Sequence, residues 1–546
     1  MDYMKEYELW LQKADSETVA ELKAITDEKE IKDRFYCSLK FGTAGLRGVM
    51  GAGTNRMNKY VVGQATQGLA EYIKSEGKEA MEKGVVIAHD SRNNSRAFSE
   101  HTAAILTANG IKTYLFDSLR PIPMLSFAIR HLGCFAGVGI TASHNPKEYN
   151  GYKAYFGDGG QLPPEAADKV LDFISKVDPF NVPCESENKP VIIGKEVDEA
   201  YYENVLAQRQ NKDLDKKGFK LVYTPLHGSG NIPVREILKR SGFEDVLLVE
   251  EQLEPDGDFP TVKSPNPENK ECFTKAIEIA KANNCDLIIG TDPDSDRVGI
   301  VLRSSSGEYV TMTGNQIGIL LADYLLSQPG VPANGAVIST IVSTRLVKKI
   351  CEAKNIRYID VLTGFKFIGE KIYEFETTGS NTFVLGFEES YGYLVGTYAR
   401  DKDAVVASML ISEMAVFYSK QGKTLYDRLM EIYGEYGYYK EGVFSAELKG
   451  LDGAEKIKAI MSNLRTIDCA ANGITKVTDY LCDDTGLPKS DILSYELADG
   501  GSFIVRPSGT EPKIKVYINA VGKTYEEAEA REAEIKSFAL ELAGLN

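Results

Sequence analysis

The chain has 546 residues, of which 43% are hydrophobic and 26% charged, a composition typical of a globular protein with a sizeable core. Its formal net charge of −16 argues against nucleic acid or an anionic membrane surface as a partner, but leaves room for a small anionic ligand. No apolar run reaches the roughly 18 residues of a membrane-spanning helix. At about 100–200 residues per domain, this length predicts three or four domains.

The eight cysteines are scattered, with no C-x-x-C pair and no Cys/His spacing typical of zinc. We therefore expect reduced, mostly buried thiols, as in a cytoplasmic protein. The amino-terminal sequence MDYMKEYELWLQKAD is charged and amphipathic, and it lacks the apolar core of a signal peptide.

Apolar runs alternate with helical patterns along most of the chain. Runs of strand character occur at 84–88, 111–116, 135–140, 220–224, 245–250, 285–290, 335–342, 357–362 and 381–386. Each group of three runs is separated by helix-like stretches, which is β-α-β order. The pattern predicts an α/β protein of three similar α/β domains with mixed or parallel sheets.

The last part of the chain mixes strands and helices, and SFIVRPSGTEPKIKVYI (502–518) has the pattern of a hairpin. We expect a smaller C-terminal α+β domain there. The predicted domains are residues 1–212, 213–312, 313–431 and 432–546. Distinctive polar loops follow strands in the first three domains, which predicts one shared central cleft because ligands collect beyond the carboxyl ends of such strands.

The second domain contains GTDPDSDRVG (290–299), with Asp292, Asp294 and Asp296 at alternate positions. In a near-extended loop, alternate side chains point the same way, and three adjacent carboxylates repel unless protonated or bridged by a cation. An all-oxygen site suits Mg²⁺ or Ca²⁺. An EF-hand is excluded because Arg297 and Arg303 stand where that motif needs glycine and glutamate. The alternative is a solvated acidic turn.

The first domain contains TASHNP (141–146), which places Ser143 beside His144. A hydrolase nucleophile and its base are disfavoured, because G-x-S-x-G is absent and a histidine adjacent in sequence usually points away. The chain also lacks a P-loop, so ATP is not the expected phosphate donor. The simpler alternative for Ser143 is a turn serine before Pro146.

Six short motifs, taken together, resemble the signature loops of one enzyme family. They are FGTAGLRG (41–48), TASHNP followed by YNGYK (141–153), TPLHGSG (224–230), TDPDSDR (291–297), GFEES (386–390) and RPSGTEPK (506–513). In this order they are similar to loops of the α-D-phosphohexomutases. The resemblance covers about residues 41 to 518, nearly the whole chain.

The resemblance implies that Ser143 carries a phosphoryl group. A phosphoserine adds about −1.5 to −2 charges and hard oxygens. With the carboxylates of Asp292, Asp294 and Asp296, it would complete one Mg²⁺ site per chain, and Mg²⁺ would withdraw charge from the transferring phosphoryl. We expect His144 to orient this loop and Arg297 to place a cation against phosphate oxygens.

Two further loops are predicted to bind the substrate. RPSGTEPK has the parts of a clamp for the non-reacting phosphate, the alternative being a charged surface turn. Its predicted contacts are Arg506, Ser508, Gly509, Thr510 and Lys513. In GFEES, the resemblance implies that Glu388 and Ser390 contact the sugar ring, whereas Glu389 could face the opposite way; an acidic helix start is the alternative.

Proton transfer has three candidates by position in the motifs, namely Lys153, Lys366 and Arg47. A lysine serves as a base only if its pKa is depressed, which neighbouring cations would do. Each candidate could equally be a static phosphate ligand. Arg92 fits a structural role as well as a catalytic one. Lys402 and Asp403, after the third α/β unit, receive little weight.

The resemblance thus implies an isomerase that acts as an intramolecular phosphotransferase, moving a phosphoryl group between the C1 and C6 hydroxyls of a hexose. We expect glucose phosphate as substrate and glucose 1,6-bisphosphate as intermediate and activator. The sequence TASHNPKEYNGYK (141–153) most resembles the branch of the family that also contains phosphopentomutases and sugar-bisphosphate synthases. Pentose or mannose phosphate is therefore the alternative substrate. A phosphatase and a non-catalytic sugar-phosphate-binding protein are the rival classes.

Overall fold

The computed structural model describes residues 2–42, 45–448, 453–508 and 513–545. The chain forms two compact units. The first unit comprises residues 1–312, 369–379 and 391–417, and the second comprises 313–368, 380–390 and 418–546. Three α/β segments and one α+β segment follow each other along the chain, as predicted.

The first segment carries a six-stranded sheet in the order β1-β5-β4-β2-β3-β6. Its strands are β1 (Leu46–Val49), β2 (Val85–His89), β3 (Thr113–Phe116), β4 (Ala136–Ile140), β5 (Tyr149–Phe156) and β6 (Val191–Ile193). Its helices are α1 (Tyr3–Lys13), α2 (Ser16–Ala24), α3 (Glu28–Phe35), α4 (Lys59–Ser75), α5 (Lys78–Lys83), α6 (Ser95–Ala108), α7 (Ile122–His131), α8 (Pro164–Ile174) and α9 (Lys195–Ala207).

The three runs predicted in this segment are the parallel strands β2, β3 and β4. Every residue of β2 and β4 is buried, which explains their continuous apolar character. The sequence pattern missed β5, which runs antiparallel to β4 with Lys153 opposite Gly139. The TASHNP loop is therefore the connection of a hairpin.

The second segment carries a five-stranded sheet in the order β11-β10-β9-β7-β8. Its strands are β7 (Leu221–Thr224), β8 (Val246–Leu248), β9 (Leu287–Thr291), β10 (Val298–Arg303) and β11 (Tyr309–Thr311). Its helices are α10 (Asn231–Arg240) and α11 (Thr274–Asn283), with single 3₁₀ turns at Glu250–Gln252 and Lys270–Phe273. Strands β7, β8 and β9 are parallel, whereas β10 returns antiparallel to β9. The aspartate loop is thus a second hairpin connection.

The third segment contains the parallel strands β13-β12-β14. Its strands are β12 (Gly335–Thr340), β13 (Arg357–Val361), β14 (Thr382–Glu388) and β15 (Gly392–Leu394). Its helices are α12 (Gly314–Leu326), α13 (Leu346–Ala353), α14 (Phe365–Thr378) and α15 (Ala404–Ser419). All three predicted strands are confirmed, and GFEES lies at the carboxyl end of β14.

The C-terminal segment has an antiparallel sheet in the order β16-β20-β19-β18-β17. Its strands are β16 (Tyr438–Glu447), β17 (Ile474–Asp479), β18 (Leu493–Leu497), β19 (Ser502–Pro507) and β20 (Lys513–Gly522), and the helices are α16 (Leu425–Tyr436), α17 (Gly453–Leu464) and α18 (Tyr525–Ala543). The predicted hairpin is β19–β20. The predicted boundary at 431 falls inside α16.

All eight cysteines are free, as predicted. Cys134, Cys272, Cys285 and Cys351 are buried, whereas Cys184 and Cys482 are exposed, so burial is less general than expected. Burial raises the pKa of the Cys134 thiol to about 12. Within the described residues, no helix combines the length and apolar character needed to cross a bilayer.

Candidate active site

Ser143 lies in the loop between β4 and β5 with its side chain against the aspartate loop. It is 2% exposed, and its Oγ donates a hydrogen bond to Asp292 Oδ2 at 2.6 Å. Its backbone N–H donates to Thr141 Oγ1 at 2.8 Å, and its φ of 52° is left-handed. This conformation is uncommon outside glycine and persists where the surroundings enforce it, often at functional sites. The structure therefore brings together the two motifs predicted to share one centre.

His144 does not point away from Ser143, so that sequence prediction is wrong. Its Nδ1 lies 3.2 Å from Ser143 Oγ, because the left-handed backbone at Ser143 turns both side chains to one side. Burial, together with the charges of Arg297 and Arg47, holds the pKa of His144 well below its usual value. Such an imidazole accepts a proton poorly. The His144 carbonyl accepts a hydrogen bond from Ser264 Oγ at 2.6 Å, which supports the predicted orienting role.

Asp292, Asp294 and Asp296 are buried, and one carboxylate oxygen of each lies within 4.8 Å of the others. Their predicted convergence is confirmed, but the reason differs from the one given by the sequence. The segment is a turn rather than a near-extended loop, and Ser295 at its centre has a left-handed φ of 51°. Closure of the β9–β10 hairpin gathers the carboxylates.

The donor set of this cluster fits a hard divalent cation. None of the described residues donates a hydrogen bond to Asp294 Oδ1 or Asp296 Oδ1, although both atoms are buried. Burial and the neighbouring carboxylates raise the pKa of Asp292 well above its usual value. Buried oxygens without donors are costly unless a cation compensates them. Three carboxylates of this kind suit Mg²⁺ or Ca²⁺.

The TPLHGSG loop (224–230) packs against the aspartate loop. The backbone N–H and the Oγ of Ser229 both donate to the Pro293 carbonyl, each at 2.8 Å. A Cβ added at Gly228 would lie 2.5 Å from Pro293 Cα, which no side chain could tolerate without a backbone shift. Gly228 therefore allows the TPLHGSG loop to pack closely against Pro293, and this packing fixes the position of the aspartate loop.

Gly228→Ala is expected to displace Pro293 and weaken Mg²⁺ binding by about tenfold or more, as outer-shell changes at metal sites do. Titration calorimetry with Mg²⁺ measures this effect. Gly434→Ala is the matched control, because no described atom lies within 4 Å of the added Cβ. Wild-type Mg²⁺ affinity in Gly228→Ala would show that the TPLHGSG loop does not position the carboxylates.

Lys153, on β5, reaches the same cluster. Its Nζ lies 2.8 Å from Asp294 Oδ2 and 3.2 Å from Asp296 Oδ2, and the residue is 7% exposed. The expected depression of its pKa is not found. Burial lowers the pKa of Lys153, but the charges of Asp294 and Asp296 outweigh burial and the repulsion from Lys402, so the pKa is raised.

Lys402 is a second buried ammonium that sequence reasoning undervalued. Its Nζ lies 3.2 Å from Asp296 Oδ2 and 3.0 Å from Asp401 Oδ1, and Asp401 in turn accepts a hydrogen bond from Tyr155. The available signal was RDKD, a run of four charges of both signs between apolar stretches, where burial requires that the charges pair. Asp403 instead caps α15 through the backbone N–H groups of its first turn.

Two arginines shape the serine loop. Arg92 is buried and donates to the backbone carbonyls of Ser143 and Asn145, which indicates a structural role. Arg47 is exposed, and its Nη1 donates to Asn145 Oδ1 at 3.2 Å. A third arginine, Arg297, contacts the aspartate loop instead, because its backbone N–H donates to Asp292 Oδ1 at 3.0 Å.

The second compact unit holds the predicted sugar loop. Glu388 is 7% exposed, and its Oε1 accepts a hydrogen bond from the Gly364 N–H at 2.9 Å. Lys366 lies two residues further along, in the first turn of α14, with its Nζ 4.8 Å from the centre of the Phe367 ring. The loops of Glu388 and Lys366 are therefore neighbours, and Ser390 is half-buried beside them.

Glu389 faces Thr340, whose Oγ1 donates to its Oε2 at 3.2 Å. Burial and the charge of Glu388 raise the pKa of Glu389 to about 7, from an ordinary value near 4.5. The folded protein thus keeps a proton on Glu389 that the unfolded chain releases, so this residue costs stability as pH rises from about 4.5 to 7.

Glu389→Gln mimics the protonated side chain and is expected to stabilise the protein at pH 8 but scarcely at pH 4.5. The melting-temperature difference from wild type, measured by calorimetry at both pH values, checks this expectation. Glu447→Gln, on the exposed side of β16, controls for the loss of one surface carboxylate. A difference that does not grow with pH would contradict the assignment.

The residues of the predicted phosphate clamp that the structure describes lie at the end of β19 and the start of β20. Arg506, which is half-buried, is the last residue but one of β19 and lies opposite Lys515 on β20, and Lys513 begins β20. The Ser508 N–H donates to the Lys513 carbonyl at 2.7 Å. Gly509 and Thr510 lie outside the described residues. The hairpin gathers cations at one end, as a phosphate site requires.

Comparison with known proteins matches four domain families in order along most of the chain. The phosphoglucomutase/phosphomannomutase alpha/beta/alpha domains I, II and III match residues 38–180, 199–306 and 313–436, and the C-terminal domain of that family matches 454–537. A phosphoglucomutase of Staphylococcus aureus strain MRSA252 is 37% identical over 531 residues, which cover 94% of this chain and 95% of the relative.

Solved structures share the fold at lower identity. A phosphoglucomutase/phosphomannomutase family protein of Burkholderia thailandensis is 18% identical with a TM-score of 0.69, covering 92% of this chain and 97% of that one. The open form of parafusin, a phosphoglucomutase of Paramecium, is 19% identical with a TM-score of 0.70, covering 93% and 95%. With four domain matches in order and a near-full-length relative, the chain belongs to the phosphoglucomutase/phosphomannomutase family.

Proposed function

We propose that this protein is a phosphoglucomutase that interconverts glucose 1-phosphate and glucose 6-phosphate through phospho-Ser143 and a glucose 1,6-bisphosphate intermediate. The observation that carries the proposal is the hydrogen bond of 2.6 Å from Ser143 Oγ to Asp292, inside a buried cluster of three carboxylates. The near-full-length relatives named phosphoglucomutase support the choice of sugar.

Ser143 Oγ acts as the phosphoryl carrier in this proposal. In the first half-reaction the bond from phosphorus to Ser143 Oγ breaks, a bond to the free sugar hydroxyl forms, and the proton that this hydroxyl loses is balanced by one gained at Ser143 Oγ. In the second, the bond between the other phosphoryl and its sugar oxygen breaks, a bond to Ser143 Oγ forms, and the proton lost by the serine hydroxyl balances the one that the leaving sugar oxygen gains. No external phosphate donor is consumed.

Asp292, Asp294 and Asp296 would hold Mg²⁺, which when bound withdraws charge from the transferring phosphoryl. His144 would orient the Ser143 loop, since its Nδ1 lies 3.2 Å from Ser143 Oγ and its carbonyl accepts a hydrogen bond from Ser264 Oγ. Lys153 supplies a buried ammonium beside the reacting centre, as a proton carrier or as a charge for the phosphoryl oxygens. We propose Arg47 and Lys366 as further phosphate or proton-transfer groups.

We propose that Arg506, Ser508, Gly509, Thr510 and Lys513 hold the phosphate that is not reacting. Glu388 and Ser390 would contact sugar hydroxyls, and Arg297 would contact a phosphoryl oxygen. The eight free cysteines support a cytoplasmic location, where sugar phosphates are the partners.

A panel of glucose, mannose and ribose 1-phosphates, assayed with added glucose 1,6-bisphosphate, tests the substrate. Glucose phosphate is expected to have the highest kcat/KM. A clear preference for ribose or mannose phosphate would assign the protein to another mutase, and steady release of inorganic phosphate would indicate a phosphatase. Tight binding of sugar phosphate without turnover of any substrate would indicate a binding protein.

Arg506→Ala is expected to weaken binding of both glucose 1-phosphate and glucose 6-phosphate by about 1.5–3 kcal/mol, because each places its own phosphate in the clamp. Calorimetric titration of each substrate measures the loss. Phosphorylation of Ser143 should survive, and Lys476→Ala, an exposed cation of the same sheet, serves as control. Impairment of only one substrate would contradict a shared clamp.

Glu388→Gln should instead keep phosphate affinity and change the preference among sugars, because Glu388 is proposed to contact hydroxyls. The same substrate panel measures this discrimination as ratios of kcat/KM. Unchanged ratios would remove Glu388 from the sugar site.

A further inference from the structure

A carboxylate outside the aspartate cluster binds the arginine that follows it. Arg297 Nη1 donates to Glu268 Oε1 at 2.9 Å, with 18% and 35% of the two side chains exposed. Arg297 Nε lies 3.9 Å from Asp296 Oδ1, which is too long for a hydrogen bond. The guanidinium thus lies between two carboxylates and is bonded to the outer one.

The position of the Arg297 guanidinium affects one oxygen in particular, Asp296 Oδ1. Asp296 Oδ2 is 3.2 Å from the ammonium groups of both Lys153 and Lys402, whereas none of the described residues donates to Oδ1. A shift of about 1 Å would bring the Arg297 guanidinium into hydrogen-bond distance of Oδ1. Because the site is buried, such a contact would be strong and would compete with a metal ion.

The segment that carries Glu268 is fixed in place. The Glu268 N–H donates to Asn266 Oδ1 at 3.1 Å, and Ser264 Oγ donates to the His144 carbonyl at 2.6 Å. Pro267 packs so closely on β10 that a Cβ at Gly299 would lie 2.4 Å from its carbonyl oxygen. Gly299 is two residues from Arg297, so the distance from Glu268 to the guanidinium is set by backbone packing.

We propose that Glu268 is a positioning residue, which holds the Arg297 guanidinium away from Asp296 and so keeps Asp296 Oδ1 available to a divalent cation. The inference rests on the metal site of the proposed function. It assigns to Glu268 a role in metal affinity although Glu268 is not one of the proposed metal ligands.

A double-mutant cycle on Mg²⁺ affinity tests this role, measured by titration calorimetry on protein that intact mass shows to be unphosphorylated. Glu268→Ala is expected to weaken Mg²⁺ binding about fivefold, because Arg297 moves onto Asp296. Once Arg297→Met has removed the competing cation, Glu268→Ala should change the affinity by less than about twofold. Glu268→Gln, which keeps volume and an acceptor, should give a smaller loss in the same direction and guards against misfolding.

Glu251→Ala is the matched control, because this substitution removes an equal charge from the same segment. Glu251 pairs with Lys275 on the exposed surface. An equal loss of affinity for Glu268→Ala with and without Arg297 would show a general charge effect and overturn the positioning role. Wild-type affinity in Glu268→Ala would overturn it as well. Failure of the wild-type protein to bind Mg²⁺ would overturn both this inference and the proposed metal site.

Discussion

Ser143→Ala is expected to lower turnover by at least about 10³-fold, because it removes the oxygen that carries the phosphoryl group. Ser143 is the residue whose hydroxyl contacts Asp292 in the structure. Alanine tolerates the left-handed backbone at this position no worse than serine does, so the loop should keep its shape. The loss would therefore be chemical rather than structural.

Steady-state assays in both directions, with circular dichroism to confirm folding, measure this loss. Ser99→Ala is the control, because Ser99 is also buried in the first segment and its Oγ donates only to the backbone carbonyl of Arg96 among the described residues. Turnover above a tenth of the wild-type value in Ser143→Ala would exclude the phosphoserine mechanism.

Asparagine at position 292 or 296 is expected to lower turnover by about 10²-fold or more, because each removes a charge from the site that stabilises the transferring phosphoryl. The two variants should have opposite effects on stability. The pKa of Asp292 is raised by burial and by its neighbours, so Asp292→Asn relieves repulsion. Although Asp296 is buried, Lys402 and Lys153 hold its pKa below the usual value, so Asp296→Asn removes a negative charge that two buried ammonium groups share.

Thermal melts in EDTA separate these effects from metal binding. Asp292→Asn should melt above the wild type and Asp296→Asn below it, while Mg²⁺ titrations of activity show a loss in both. Full turnover of EDTA-treated wild-type enzyme, or of either variant, would contradict a metal site at these carboxylates.

The central strands were predictable because buried parallel strands are continuous apolar runs with helices between them. The hairpin partners β5 and β10 were missed, although they determine the site. β5 carries Lys153 back to the serine loop, and β10 closes the aspartate loop into a turn. The sequence therefore predicted that the aspartates converge, but gave an extended loop as the reason.

The orientation of His144 and the position of Lys402 were not predictable from local pattern. His144 faces Ser143 Oγ because of one left-handed residue, and a serine gives no sequence signal for that conformation. Lys402 is over 100 positions from Asp296, and only tertiary packing brings its ammonium to that carboxylate. Interactions of this range depend on the fold as a whole.

Transfer of labelled phosphate tests the central claim most directly. Protein incubated with glucose 1,6-bisphosphate carrying labelled phosphoryl groups should take up about one label per chain, and peptide mapping should place that label on Ser143. A chase with unlabelled glucose 1-phosphate should return the label to hexose phosphate at a rate matching turnover. Label found only on other residues, or an active enzyme that never acquires label, would contradict the account.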